Sequence, residues 1–204
     1  MAGILLGVTG GIAAYKAIDV LRLLQRRGHE VSVVMTHSAT RFVGPATFAS
    51  LSGNPVGVTL FGDPGAPGYN HLDIVRGKDL FLVAPASANT LAHMAVGTAQ
   101  GLLTSCYLAF EGPVLVAPAM NTRMYGHPAT RANLATLAAR GVEVVPPASG
   151  LLADGDVGVG RLAEPERIVD AVEARLARGG GPWRGRRVLV TAGGTREPID
   201  AVRY

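Results

Sequence analysis

The chain has 204 residues, 48% of them hydrophobic, and a formal net charge of +4. No apolar stretch approaches the roughly 20 residues that span a bilayer, and the single cysteine, Cys106, excludes an intramolecular disulfide framework. The N-terminus lacks the basic region of a signal peptide, and no basic run interleaves with aromatics, so we expect a cytoplasmic protein without nucleic-acid or membrane partners.

Strand-like apolar runs alternate with helical patterns along the chain. Strands are predicted over 3–8, 30–35, 80–84, 113–117 and 142–145, and helices over 12–27, 88–96, 101–110, 129–140 and 164–177. This alternation predicts an α/β protein with a doubly wound, mostly parallel sheet, a flavodoxin-like or Rossmann-like three-layer sandwich. Residues 1–178 form one predicted domain, a Gly/Pro-rich linker covers 179–186, and 187–204 begin a second unit.

The first predicted strand opens into a helix through the turn Thr9–Ile12, which contains Gly10, Gly11 and Ile12. Glycines there let the backbone approach a phosphate at a helix N-terminus, although a tight turn without a ligand fits the same residues. After the second strand stand Thr36 and Ser38, with no acidic residue to hold a ribose. This pattern favours FMN over NAD.

Two look-alike stretches, 83–90 and 116–121, each end an apolar run in Ala-Pro-Ala and reach an Asn within three residues. We expect Pro85 and Pro118 to stop strand pairing. Ligands of open α/β sheets bind outside the carboxyl ends of the strands. The two ends, with Asn89 and Asn121, therefore predict polar side chains delivered to one crevice.

The stretch 150–160 contains four glycines and predicts a mobile loop or flap rather than a regular element. A lone histidine after a loop, such as His71, is more typical of a surface than of catalysis. No two histidines have the spacing of metal ligands, so no metal site is predicted. Cys106 falls inside a helical pattern and fits a buried small side chain.

Together these motifs resemble the homo-oligomeric flavin-containing cysteine decarboxylase family, and within it the phosphopantothenoylcysteine decarboxylases of coenzyme A biosynthesis. The resemblance runs through 7–16, 34–42, His71, 85–90, 118–125, the flap 150–165 and 188–204. It implies an FMN-binding cysteine decarboxylase domain over 1–178 and the truncated start of a ligase domain over 187–204. CTP and Mg2+ would serve only the absent ligase domain.

The resemblance also implies roles for individual residues. The turn at Gly10, Gly11 and Ile12 would hold the FMN phosphate with Thr36 or Ser38, and the flavin edge would lie near Ser87, Ala88, Asn89 and Thr90. His71 would be the catalytic base, and Met120 and Asn121 would bind the substrate carboxylate. The expected reaction converts 4'-phosphopantothenoylcysteine to 4'-phosphopantetheine through an enethiol. The family forms trimers or larger trimer-based assemblies.

One position departs from the family pattern. A flap cysteine, held to take part in the final reduction, is replaced here by Asp154. Asp154 is either a surrogate proton donor, if a closed flap raises its pKa, or a solvated loop carboxylate. Three other functions stay open: an oxidative decarboxylase that stops at the enethiol, a non-catalytic regulatory flavoprotein, and a generic NAD-binding domain.

Overall fold

The computed structural model describes residues 1–61, 70–151 and 155–180. Within these ranges the strands are β1 Gly3–Val8, β2 Glu30–Met35, β3 Val56–Gly57, β4 Leu80–Ala86, β5 Val114–Pro118, β6 Glu143–Val144, β7 Ala148–Leu151 and β8 Val157–Arg161. The α-helices are α1 Lys16–Arg26, α2 Pro45–Ser52, α3 His71–Val75, α4 Ala88–Val96, α5 Leu102–Ala109, α6 Thr122–Gly126, α7 Pro128–Ala139 and α8 Pro165–Gly180. Short 3-10 helices cover Ile12–Tyr15 and Ala39–Arg41.

Six strands form one parallel sheet in the order β3-β2-β1-β4-β5-β6. The chain starts at β1, winds outward to β3 on one side, and then returns to β4 on the other side of β1. This is the doubly wound arrangement, and its topological switch point lies between β1 and β4. The predicted fold class is confirmed, and the switch point marks where a ligand crevice is expected.

Helices cover both faces of the sheet, because alternate residues of each strand point to opposite sides. On one face Ile4 and Leu6 of β1 pack with buried residues of α1 and α8, together with Phe48 of α2. On the other face Leu5 packs in a cluster built from α4, α5, α7 and the central strands. Every residue of β4 and β5 is buried, as expected for central strands of a two-sided sheet.

Pro85 does not stop strand pairing, so this expectation from the sequence is wrong for β4, whereas β5 does end at Pro118. Pro85 lies inside β4, after a cis Ala84–Pro85 peptide bond, and Pro118 is the last residue of β5. Pairing resumes beyond an irregularity, with Ala86 opposite Pro118. In a parallel ladder a residue need not donate its N–H to a given neighbour, so a proline can occupy a non-donating position.

The predicted flap is also partly wrong, since its flanks are regular. β7 and β8 pair as an antiparallel hairpin, and residues 152–154 between them lie outside the described ranges. The predicted linker and second unit also fall mostly outside, although α8 continues to Gly180. None of the helices in the described ranges is long and apolar enough to cross a membrane.

Candidate functional site

A cleft of 1030 Å³ opens at the carboxyl end of the central strands, over the switch point. It is lined by the segments that follow β1, β2, β4 and β5 and by residues of the hairpin. The size fits a cofactor-sized ligand, since such clefts usually enclose roughly 300–1,000 Å³. All predicted cofactor and substrate contacts line it: Gly10, Gly11, Ile12, Thr36, Ser38, Ser87, Ala88, Asn89, Thr90, Met120 and Asn121.

Thr9 joins the ends of β1 and β4 beneath this cleft. Its side chain is 1% exposed, its hydroxyl donates to the Pro85 carbonyl at 2.8 Å, and the Ser87 N–H donates to the same hydroxyl at 2.9 Å. The Thr9 N–H also reaches the Pro85 carbonyl, at 3.3 Å. The sequence placed Thr9 in the turn after β1 but did not predict these contacts, which tie the β4 segment to that turn.

The turn after β1 packs directly against the segment after β2. A Cβ at Gly10 would lie 2.6 Å from Ser38 Cβ and 2.9 Å from the Ser38 carbonyl carbon, whereas a Cβ at Gly11 would meet nothing within 4 Å. Only glycine at position 10 allows Ser38 to come this close, and Gly11 presents bare backbone to the cleft. Thr36 shapes the same wall, because its hydroxyl accepts from the Ala39 N–H at 3.2 Å.

The segment after β4 enters α4 through Ser87. The Ser87 hydroxyl accepts from the Thr90 N–H at 3.3 Å and lies 3.1 Å from the Thr90 hydroxyl, an N-cap that starts the helix at Ala88. Thr90 is buried, and Asn89 is exposed on the first turn. The cap therefore holds Ala88 and Asn89 at the cleft wall.

The segment after β5 places Asn121 on the opposite wall. Its Oδ1 accepts from the Arg123 N–H at 2.7 Å and caps α6. This hydrogen bond orients the amide, because Oδ1 is turned toward the helix. The Ala119 N–H donates to the Ala86 carbonyl at 3.1 Å, so the two Ala-Pro-Ala ends are tied to each other as well as to one cleft.

The hairpin forms a third wall against the Asn121 turn. The Met120 N–H donates to the Gly160 carbonyl at 2.9 Å. A Cβ at Gly160 would lie 2.2 Å from the Met120 carbonyl oxygen, and one at Gly158 would lie 2.5 Å from Thr122 Oγ1. Glycines at alternate positions of β8 therefore let this strand lie directly on the turn, a spacing that the sequence analysis did not interpret.

A three-residue charge cluster lies at the hairpin side of the cleft. Arg161 donates to Glu164 Oε1, and Lys16 Nζ lies 3.3 Å from Glu164 Oε2. The hydrogen bond from Arg161, followed by that from Lys16, lowers the pKa of Glu164. Lys16 and Arg161 line the cleft, so Glu164 is an ionised partner that holds two cations at its edge.

His71 does not line this cleft in the described part of the chain. It begins α3, half-buried, with its carbonyl 3.9 Å from Cys106 Sγ of α5. The predicted cofactor and substrate contacts therefore lie together in the cleft of a single chain. The predicted base, His71, does not lie in that cleft. Its catalytic role stays a prediction.

Three further expectations concern Asp154, Cys106 and metal binding. Asp154 lies outside the described residues, so its role stays a prediction. Cys106 is fully buried in α5, and burial raises the pKa of its thiol to about 12, which leaves it an unreactive thiol. No cluster of three His, Cys, Asp or Glu side chains suited to a metal ion occurs in residues 1–61, 70–151 and 155–180.

Residues 2–177 match the sequence profile described as "Flavoprotein". Residues 183–204 match the profile "DNA/pantothenate metabolism flavoprotein C-terminal domain". The chain is 50% identical over 204 residues to the "Coenzyme A biosynthesis bifunctional protein CoaBC" of Mycobacterium tuberculosis, covering 98% of this chain and 48% of that protein. The chain thus spans about half the length of the curated relatives it matches.

Solved structures share the fold of this chain. A PPC decarboxylase mutant complexed with pantothenoylaminoethenethiol is 32% identical, with a TM-score of 0.74, and the match covers 85% of this chain and 97% of that one. The FMN-binding protein AtHal3 is also 32% identical, with a TM-score of 0.71, covering 85% of this chain and 95% of that one.

Proposed function

This chain belongs to the flavoprotein family, and from that membership we propose that it is an FMN-dependent decarboxylase. It converts 4'-phosphopantothenoylcysteine to 4'-phosphopantetheine in cytoplasmic coenzyme A biosynthesis. The observation that carries the proposal is the convergence of the β1, β4 and β5 ends on one cleft. The relatives named above support the choice of substrate and cofactor.

The residues of the cleft fit FMN. The bare backbone of Gly11 and the Ser38 hydroxyl beside Gly10 offer a cradle for a phosphate without a cationic side chain. The capped start of α4 gives a flat wall of small residues, Ala88 and Asn89, for a flavin ring. When bound there, FMN would supply the two-electron oxidation of the substrate's thiol-bearing carbon, which the protein itself cannot perform.

Asn121 would bind the substrate carboxylate through its amide. The Arg123 N–H fixes Oδ1, so the N–H donors of the amide are the part that suits an anion. A neutral donor orients the carboxylate but does not anchor it with a full charge, which favours release of CO2. Met120 lies beside it on the cleft wall, held by its hydrogen bond to Gly160.

His71 would remove a proton during oxidation of the thiol-bearing carbon, as a neutral imidazole base can do. Because His71 is absent from the cleft of its own chain, we propose that a second copy supplies it within a trimer or a trimer-based assembly. Exposed apolar side chains occur on both surfaces that such contact would cover: Ile12 (62% exposed) and Tyr15 (55%) at the cleft, and Leu72 (51%) beside His71. A heterologous contact closes into a ring when its rotation is a whole fraction of a turn, and a trimer is such a ring.

Mixing two inactive variants tests this arrangement. His71→Asn and Asn121→Ala chains, each inactive alone, would regain decarboxylation after dissociation and joint reassembly if each site draws on two chains. A mixture as inactive as its components, with mixed oligomers demonstrated by mass, would contradict the shared site.

The missing flap cysteine leaves a second candidate function, an oxidative decarboxylase that stops at the enethiol. We propose that Asp154 takes no part in the reduction, which would draw its hydride from the reduced flavin and its proton from water. Product mass separates the two: phosphopantetheine retains both hydrogens that the enethiol lacks. The wider chain, following the match over 183–204, would continue past a linker at 179–186 into a ligase that uses CTP and Mg2+.

A further inference from the structure

We propose that Lys16 and Arg161 form the subsite for the substrate's phosphate, an inference that rests on the proposed decarboxylase function. These two are the charged side chains among the described residues that line the cleft, and both are cationic. No acidic residue of the described ranges lines it. A cleft with this charge pattern favours an anionic ligand.

Lys16 and Arg161 belong to other elements of the cleft wall than the two other places that suit an anion. Lys16 begins α1 and Arg161 ends β8. The turn at Gly10 and Gly11 lies beside Ser38, and Asn121 lies at the start of α6. The proposed reaction brings three anionic groups: the cofactor phosphate, the substrate carboxylate and the substrate phosphate. Neutral donors are available for the cofactor phosphate and for the substrate carboxylate. We therefore assign the cationic pair to the substrate phosphate, a monoester that carries two negative charges.

Glu164 holds the pair in place. Each of its carboxylate oxygens accepts a hydrogen bond from one cation: Oε1 accepts from Arg161, and Oε2 accepts from Lys16 Nζ at 3.3 Å. A lysine carries three N–H donors and an arginine five, so one contact each with Glu164 does not exhaust them. Lys16 is also well packed, with its side chain 16% exposed, which reduces the entropy lost when it binds a phosphate.

The chemistry of the two residues suits a phosphate monoester. A guanidinium offers a planar fork of donors and an ammonium offers a compact charge. When Glu164 is ionised, the cluster of Lys16, Arg161 and Glu164 carries one net positive charge. A bound phosphate dianion changes this to one net negative charge. The subsite therefore distinguishes a phosphorylated substrate from its unphosphorylated analogue, a specificity that the cofactor cradle and Asn121 do not provide.

The test compares two ligands, phosphopantothenoylcysteine and pantothenoylcysteine, on FMN-loaded enzyme. Dissociation constants come from the flavin absorbance change, and KM values from CO2 release. We expect wild type to favour the phosphorylated ligand at least tenfold. Lys16→Ala and Arg161→Ala should each weaken its binding roughly tenfold, the loss of one charge-assisted hydrogen bond, and change binding of the analogue less than twofold.

Arg27→Ala is the matched control, since Arg27 pairs with Asp170 of α8 at 3.3 Å but does not line the cleft. It should leave both constants unchanged. Glu164→Gln separates binding from structure. If the cations serve only as partners of Glu164, Glu164→Gln should weaken binding as Lys16→Ala does. If the cations bind the phosphate, Glu164→Gln should bind the phosphorylated ligand at or above the wild-type affinity.

Equal losses for both ligands, or equal wild-type affinities for the two, would overturn the phosphate subsite. Loss of bound FMN from Lys16→Ala would also overturn it and assign the cations to the cofactor. Wild-type enzyme that holds FMN but releases no CO2 from either compound would instead defeat the proposed function itself.

Discussion

The Ser87 N–H donates to the hydroxyl of Thr9 at 2.9 Å, and this contact joins the turn after β1 to the segment after β4. Thr9 is buried and donates in turn to the Pro85 carbonyl. The two walls of the cleft that suit a cofactor are therefore parts of one hydrogen-bonded unit. Its stability and its ligand geometry should respond together to a change at Thr9.

Removing this hydroxyl tests the link. Thr9→Ala leaves the partly buried Ser87 N–H without this acceptor, while the Pro85 carbonyl keeps only the longer hydrogen bond from the Thr9 N–H. This should lower the free energy of unfolding by about 2 kcal/mol and weaken FMN binding. Urea unfolding and flavin titration measure both effects. Thr9→Ser keeps the hydroxyl and is the control. Equal stability of Thr9→Ala and Thr9→Ser would contradict the link.

Gly160→Ala should impair catalysis by displacing the Asn121 turn. The added Cβ would lie 2.2 Å from the Met120 carbonyl oxygen, a backbone atom that cannot rotate away. We expect kcat to fall at least tenfold while bound flavin is retained, since no predicted flavin contact adjoins Gly160. Gly126→Ala, which adds a Cβ with nothing within 4 Å, should match wild type. Full activity of Gly160→Ala would show that the hairpin does not shape the site.

Asn121→Asp tests separately the two roles of this side chain, capping α6 and binding the substrate carboxylate. Asp caps a helix as well as Asn does, so α6 and the unfolding free energy should stay unchanged. Its charge would repel the substrate carboxylate, and kcat/KM should fall about 100-fold, comparable to losing a charged hydrogen bond. Steady-state kinetics and urea unfolding on the same preparation give the comparison. A loss of stability equal to the loss of activity would point to a capping role alone.

Cys106 predicts a pH effect on stability. Burial raises the pKa of its thiol from 9.0 to about 12, so above pH 9 the unfolded chain loses this proton while the folded chain keeps it. The contribution of the thiol is complete below pH 9 and declines as pH rises toward 12, by about 1.4 kcal/mol per pH unit. Urea unfolding at pH 8 and pH 10 measures it, with Cys106→Ala as the reference. A wild-type advantage that is the same at both pH values would show that the thiol ionises equally in both states.

Much of the fold was predictable from the sequence, because central strands and amphipathic helices leave strong patterns. β1 and β2 match their predicted bounds, and so does α4, where Ser87 and Gly97 flank an uninterrupted pattern. β3, with two residues, leaves no such pattern. The hairpin was missed because Gly158 and Gly160 dilute the alternation of a strand, and their purpose appears only with Met120 and Thr122 beside them.

The candidate site was predictable where residues adjoin strand ends. The turn at Gly10 and the segments at Ser87 and Asn121 follow buried strands, and parallel strands bring such segments together. The contacts of Thr9 were not predicted because its partners lie 76 and 78 positions away. Arg161 was not predicted as a site residue because its link to Lys16 runs through Glu164, which is 3 positions from Arg161 but 148 from Lys16. Spacing along the chain carries no signal for contacts of such long range.

Mass analysis of the product decides whether this protein carries out FMN-dependent decarboxylation of phosphopantothenoylcysteine. FMN-reconstituted protein incubated with this compound should release CO2 and yield phosphopantetheine, while His71→Asn retains flavin and yields none. Unchanged substrate after incubation with flavin-loaded wild-type protein would show that the protein lacks this activity.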